Sequence, residues 1–150
     1  MLTDALLQLS SAQAVTSTAV STNTLDLGLA RDIGIGNPLY VVIGVDEAAT
    51  AAGSATVNFQ LISSAAANLG TPTVLVETGV IGKADLTLGR EPIVLWVAPA
   101  LLAAQPVGQR YLGLQYTVAT GPLTAGKFTA HVTRDYPQVG VFYSSGFTVA

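Results

Sequence analysis

RYLGLQYTV, residues 110–118, alternates without a break. Leu112, Leu114, Tyr116 and Val118 fall on one side, and Tyr111, Gly113, Gln115 and Thr117 on the other. Successive side chains of a strand point to opposite faces, so a period of two predicts a half-buried antiparallel strand. KFTAHVTR (127–134) repeats the pattern, with Phe128, Ala130 and Val132 inward and Lys127, Thr129, His131 and Thr133 outward. ATVNFQLI (55–62) does so again, with Val57, Phe59 and Leu61 alternating with Thr56, Asn58 and Gln60. A sheet that packs on one face and meets water on the other has this signature.

Two stretches differ. LYVVIGVD (39–46) and IVLWV (93–97) are apolar on both faces. They are central strands, or strands whose second face another chain covers. Weaker strands are expected at 16–27, which is rich in Thr and Ser, and at 73–78, where Pro72 stands at the start. Gly, Pro and Asn mark the intervals at 34–38, 52–54, 68–70, 79–82, 89–92, 99–108 and 121–126. Seven or eight short strands with turns of this kind predict a β-sandwich or barrel. Helical pattern is confined to a short N-terminal helix through Leu9, capped by Thr3 or Asp4, and one turn at 100–104.

Composition narrows function. Of 150 residues, 50% are hydrophobic and 10% charged, against about 25% charged in an average chain. That excludes disorder, and no apolar run reaches the ~20 residues of a spanning helix, so no membrane role is expected. There is no Cys and one His, which excludes thiolate and multi-histidine metal sites. Net charge is −3 with six basic residues scattered along the chain, whereas nucleic-acid binding needs clustered Lys and Arg. The N-terminal run MLTDALLQLSSAQA carries Asp4 and no basic residue, which argues against a signal peptide.

Candidate chemistry is sparse. His131 has no nucleophile or carboxylate beside it in the strand pattern. Asp46 and Glu47 are adjacent, but no spaced acidic loop follows for Ca²⁺, so they read as turn carboxylates. Gly34-Ile35-Gly36 precedes Asn37-Pro38 and a strand, without the helix a phosphate loop requires. Trp96, the single tryptophan, reads as core or as a sugar-stacking platform. Tyr111, Tyr116, Tyr136 and Tyr143 divide between core and interface. No catalytic residue, cofactor or metal site is expected. Outward strand positions hold Thr, Ser, Asn, Gln and Ala in place of Lys and Glu. A surface of this kind lacks the charges that keep a free sandwich apart from its neighbours.

Three runs carry a family resemblance: SSAQAVTSTAVSTNTLDLG (10–28), residues 31–61, and YLGLQYTVATGPLTAGKFTAHV (111–132). Their most characteristic parts are S-x-x-Q-A-V-T, S-T-N-x-x-D-L-G and R-Y-L-x-L-x-Y-T-V-x-T-G-P-x-T-A-G. Together they resemble the cement, or decoration, proteins of tailed bacteriophage heads, and the likeness departs after Tyr136. The resemblance implies an all-β, jellyroll-like antiparallel β-sandwich on the outer surface of the virion capsid, made in the host cytoplasm. There it would bind the major capsid protein and itself, as a dimer or trimer, and stabilise the head without catalysis.

Three regions are expected: residues 1–15 as an N-terminal arm or short helix, 16–136 as the sandwich core, and 137–150 as an apolar arm or last strand. Extended arms are a route to partner binding by strand addition. The candidate interface is therefore Leu2, Asp4, Leu6, Leu7, Val139, Val141, Phe142, Tyr143 and Phe147. The alternative is a lectin-like carbohydrate-binding module, which predicts a Trp or Tyr exposed in a groove among polar neighbours. A glycan hydrolase would need two carboxylates opposed across a cleft.

Overall fold

The computed structural model describes residues 3–28 and 36–135. A 3₁₀ turn at Ala5–Leu7 leads into β1 (Gln8–Ala14). β2 (Ala19–Val20) and β3 (Leu25–Asp26) are two-residue strands, so the single weak strand expected at 16–27 is broken in two. β4 (Leu39–Thr50), β5 (Thr56–Ser64), β6 (Thr73–Gly82) and β7 (Ile93–Val97) follow. After a short helix α1 (Pro99–Ala103) come β8 (Tyr111–Ala119) and β9 (Ala125–Thr133).

All pairings are antiparallel. One sheet has the order β1-β9-β4-β7; the other has β2-β8-β5-β6, with β3 also on β8. Consecutive strands alternate between the sheets except at the β5–β6 hairpin and the broken β2/β3. With β2 and β3 taken as one interrupted strand, this is the two-sheet arrangement of a jelly roll. The all-β sandwich expected from the alternation is the fold observed.

The alternation also places the core. Val57, Phe59, Leu61, Leu114, Tyr116, Phe128, Ala130 and Val132 are buried between the sheets. Each long apolar side chain removed from water contributes about 1.5–3 kcal/mol. Phe59 meets Tyr116 and Phe128 edge-on, with ring centroids 5.7 and 5.2 Å apart, and Tyr116 stacks on Phe128 at 5.8 Å. These rings come from both sheets and close the middle of the sandwich.

The two segments apolar on both faces have different fates. β4 is central, between β9 and β7. β7 is an edge strand, with Ile93, Leu95 and Val97 in the core and Trp96 on the outer face. Trp96 is 58% exposed, so the core reading of the tryptophan does not hold. The short helix through Leu9 is replaced by the 3₁₀ turn, because Gln8 onward is extended and paired with β9.

Candidate interaction surfaces

At the N-terminus, the Asp4 carboxylate accepts a hydrogen bond from the Leu6 N–H at 2.9 Å. That cap closes the 3₁₀ turn and separates its two leucines. Leu7 packs against the core, and Leu6 points outward, 83% exposed. Of the expected interface residues, Asp4 is thus a local cap, Leu7 is core-facing, and Leu6 offers an open apolar side chain. Leu2, Val139, Val141, Phe142, Tyr143 and Phe147 lie outside the described residues, as do Asp32, Gly34 and Ile35.

Most described carboxylates with resolved contacts are tied into the sheets. Thr129 Oγ1 donates to Asp46 at 2.6 Å, and Lys127 pairs with Glu47 at 2.8 Å, so both acids sit within β4 and not in a turn. Arg110 grips Asp26 through Nε and Nη2 at 2.5 and 2.6 Å. That fork and the Gly28 N–H hold the Asp26 carboxyl below the usual range. On the outer face of the second sheet, Gln60 Nε2 and Asn58 Nδ2 donate to Glu77 at 2.6 and 2.9 Å, which lowers its pKa. Thr117 Oγ1 donates in turn to Gln60 Oε1 at 2.7 Å. These acids, spaced by the sheet and bonded to amides, hydroxyls and cations, form no opposed pair. Among the described residues no group of three His, Asp or Glu could hold a metal.

His131 stands on the outer face of β9, opposite Gln8 on one side and Val42 on the other. Burial pushes its imidazole below the ordinary value, so it is neutral near pH 7. Its Nε2 is buried and has no hydrogen-bond partner among the described residues. Neither register neighbour is a nucleophile or carboxylate, so these two strands give His131 no acid–base partner among the described residues.

The outer face of the first sheet is apolar and aromatic at its β7 side. In register, Thr133, Tyr40 and Trp96 form one row across β9, β4 and β7. The next row is Gln8, His131, Val42 and Val94. Directly opposite residues in antiparallel strands have Cβ atoms about 4.5–5.5 Å apart, so Tyr40 and Trp96 are side by side. A depression of about 550 Å³ borders this row, lined by Asn37, Pro38, Tyr40, Arg134 and Asp135. Sequence reasoning missed Tyr40. The signal that would have found it is its parity with Val42 in 39–46, which sets both apart from the inward Val41, Ile43 and Val45. Val42 and Thr133 in these rows are buried whereas Trp96 is exposed, so the part of the face that can dock an apolar partner or stack a ring is its β7 edge.

No curated protein matches this chain. A family model described as Bbp16 matches residues 9–132, from the second residue of β1 to the last but one of β9 and through every strand between. The match spans both sheets of the sandwich, and by it the chain belongs to the Bbp16 family.

Proposed function

We propose that this chain is a structural virion protein, a cement protein that binds the outer surface of a bacteriophage major capsid protein lattice and reinforces the head. The observation that carries the reading is where the cement-like runs fall. Residues 10–28, 31–61 and 111–132 supply all or most of β1 to β5, β8 and β9, which is every strand of the two sheets except the edge strands β6 and β7. A sandwich with a charge-poor surface, an exposed Leu6 and an exposed Trp96 supports a role in contact with other chains. Cementing then follows from multivalency: an oligomer touching several capsomers gains effective concentration that one weak contact lacks. No catalysis and no cofactor enter this function.

The test is reconstitution. Purified protein is added to capsids that lack it, and rupture on heating is followed. The expected result is saturable binding and a higher rupture temperature. Absence of both would dismiss the proposal.

The exposed Trp96 beside Tyr40 specifically favours a second reading, a lectin-like module. It predicts that glycans quench the tryptophan fluorescence at micromolar to millimolar concentration, about the range of modest binding.

A further inference from the structure

Burial on the outer face of the first sheet changes along the strands. β4 turns Tyr40, Val42, Gly44 and Asp46 outward, and β9 turns Thr133, His131, Thr129 and Lys127 outward. At one end Asp46 and Lys127 are exposed. Gly44 and Thr129, next along, are half-buried. At the other end Val42 is 2% exposed and Thr133 6%. His131 Nε2 is shut from solvent there with no partner among the described residues. Register neighbours shield the flanks of a sheet side chain and leave its tip open, because side chains stand perpendicular to the sheet. Val94 and His131 flank Val42 in this way, and Tyr40 beside it along β4 is itself half-buried. The second sheet packs on the opposite face. Val42 and Thr133 thus have the burial of residues beneath a cover, on a face where the described strands supply only flanks.

The chain leaves β9 at this buried end. Thr133 is the last residue of the strand, and its Oγ1 accepts from the Asp135 N–H at 3.1 Å. That hydroxyl points outward, so the bond draws the backbone after β9 toward the outer face. Residues 136–150 follow, outside the described residues. From 137 onward, PQVGVFYSSGFTVA holds no charged side chain and five large apolar or aromatic ones, Val139, Val141, Phe142, Tyr143 and Phe147. Rows on one face of a sheet are about 7 Å apart, so Thr133 to Thr129 is about 14 Å. An extended segment of this length reaches about 45 Å.

We propose that residues 137–150 dock on the outer face of their own first sheet, as a strap over Val42, His131 and Thr133. The occupant is this segment on three grounds. It follows Asp135, which is tied to the buried rows; it is long enough to cross them; and its uncharged side chains match rows that hold no charge. Residues 29–35 precede β4 at the same end, but they carry Arg31 and Asp32 and lie between β3 of the second sheet and β4 of the first. The strap stops short of Trp96, which is 58% exposed, and of the Asp46–Lys127 end. It commits Val139, Val141, Phe142, Tyr143 and Phe147 to the subunit itself, which leaves Leu6 and Trp96 as the apolar contacts open to a partner. The inference stands independently of the cement reading, since it concerns one chain alone.

The chain has no cysteine, so one introduced thiol reports one place. Val42→Cys and Asp46→Cys are made separately in the full chain, and their reaction with a maleimide is timed. Cys at 42 should react at least about a hundredfold more slowly than Cys at 46, because it waits on local opening. Val141→Asp and Phe142→Asp are then added to each in turn. Neighbours in an extended segment face opposite ways, so one of the two strikes the sheet. That one should speed labelling at 42 at least about tenfold and leave labelling at 46 unchanged. Should these variants fail to fold, nuclear Overhauser contacts in the wild type decide. They are expected between the Val42 methyls and the rings of Phe142, Tyr143 or Phe147, within one chain of a mixed labelled and unlabelled sample. Fast labelling at 42 in the full chain, or protection that neither aspartate lifts, would overturn the inference. So would Val42 contacts to Leu29, Ile33 or Ile35 in place of the rings, or ring contacts found only between chains.

Discussion

The hydroxyls of Ser10 and Tyr116 lie 2.5 Å apart, in the buried space between the two sheets. Ser10 belongs to β1 of the first sheet and Tyr116 to β8 of the second, 106 residues away. Both are fully buried, so each hydroxyl depends on the other for its hydrogen bond. Removing one leaves a desolvated polar group behind.

Tyr116→Phe should therefore cost about 1–3 kcal/mol, the penalty of leaving Ser10 Oγ unpaired. Ser10→Ala should cost a similar amount. The double variant should cost clearly less than their sum, because no orphan remains. Urea denaturation of the four proteins checks this cycle.

The same pair sets a pH dependence. Burial pushes the Tyr116 phenol up to about 12, against a smaller opposing effect of the Ser10 hydrogen bond. The phenol ionises more readily in the unfolded chain, near pH 10. Its contribution to stability is then complete below pH 10 and is lost as pH rises towards 12, where the unfolded state holds fewer protons. The midpoint of unfolding should fall between pH 10 and 12 more steeply in the wild type than in Tyr116→Phe.

Gly113→Ala should destabilise the fold by about 1–3 kcal/mol, the usual cost of overpacking. A Cβ at Gly113 would collide with Leu69 Cδ1 and come within 3.1 Å of Ser21 Oγ. Here the loop carrying Leu69 lies over the outer face of the second sheet, and Ser21 Oγ accepts from the Leu114 N–H at 3.0 Å. Thermal unfolding of the variant checks the prediction, and Leu69→Ala in the same chain should recover part of the loss.

Phe128→Ala should cost about 3–5 kcal/mol, as other buried aromatic truncations do. Phe128 contacts both Phe59 and Tyr116, so the sandwich loses the ring that joins its two halves. Near-UV circular dichroism should lose intensity before the far-UV signal does.

Leu6→Ser should leave stability within about ±0.5 kcal/mol, because the side chain is exposed. It should weaken capsid binding if the N-terminal turn is a docking point. Binding to empty heads at fixed protein concentration separates the two effects.

Local pattern made the strands and their inward residues legible. Alternation put Phe59 and Phe128 on the apolar side of their strands and Tyr116 in line with Leu112 and Leu114, because side-chain direction in a strand depends only on parity along the chain; that Tyr116 is core and not interface came from the packing. The scarcity of charge and of metal or nucleophile spacing likewise needed no coordinates, since both are properties of composition. Strand order is different in kind. IVLWV reads the same at the centre of a sheet or at its edge, and only the pairing of β7 with β4, residues distant in sequence, exposes Trp96. The amide cage around Glu77 and the closeness of Ser10 to Tyr116 arise in the same way, from strands that meet across long chain separations. Periodicity carries information along one strand; which strands become neighbours is set by the packing of the whole chain, and with it the surfaces left open to a partner.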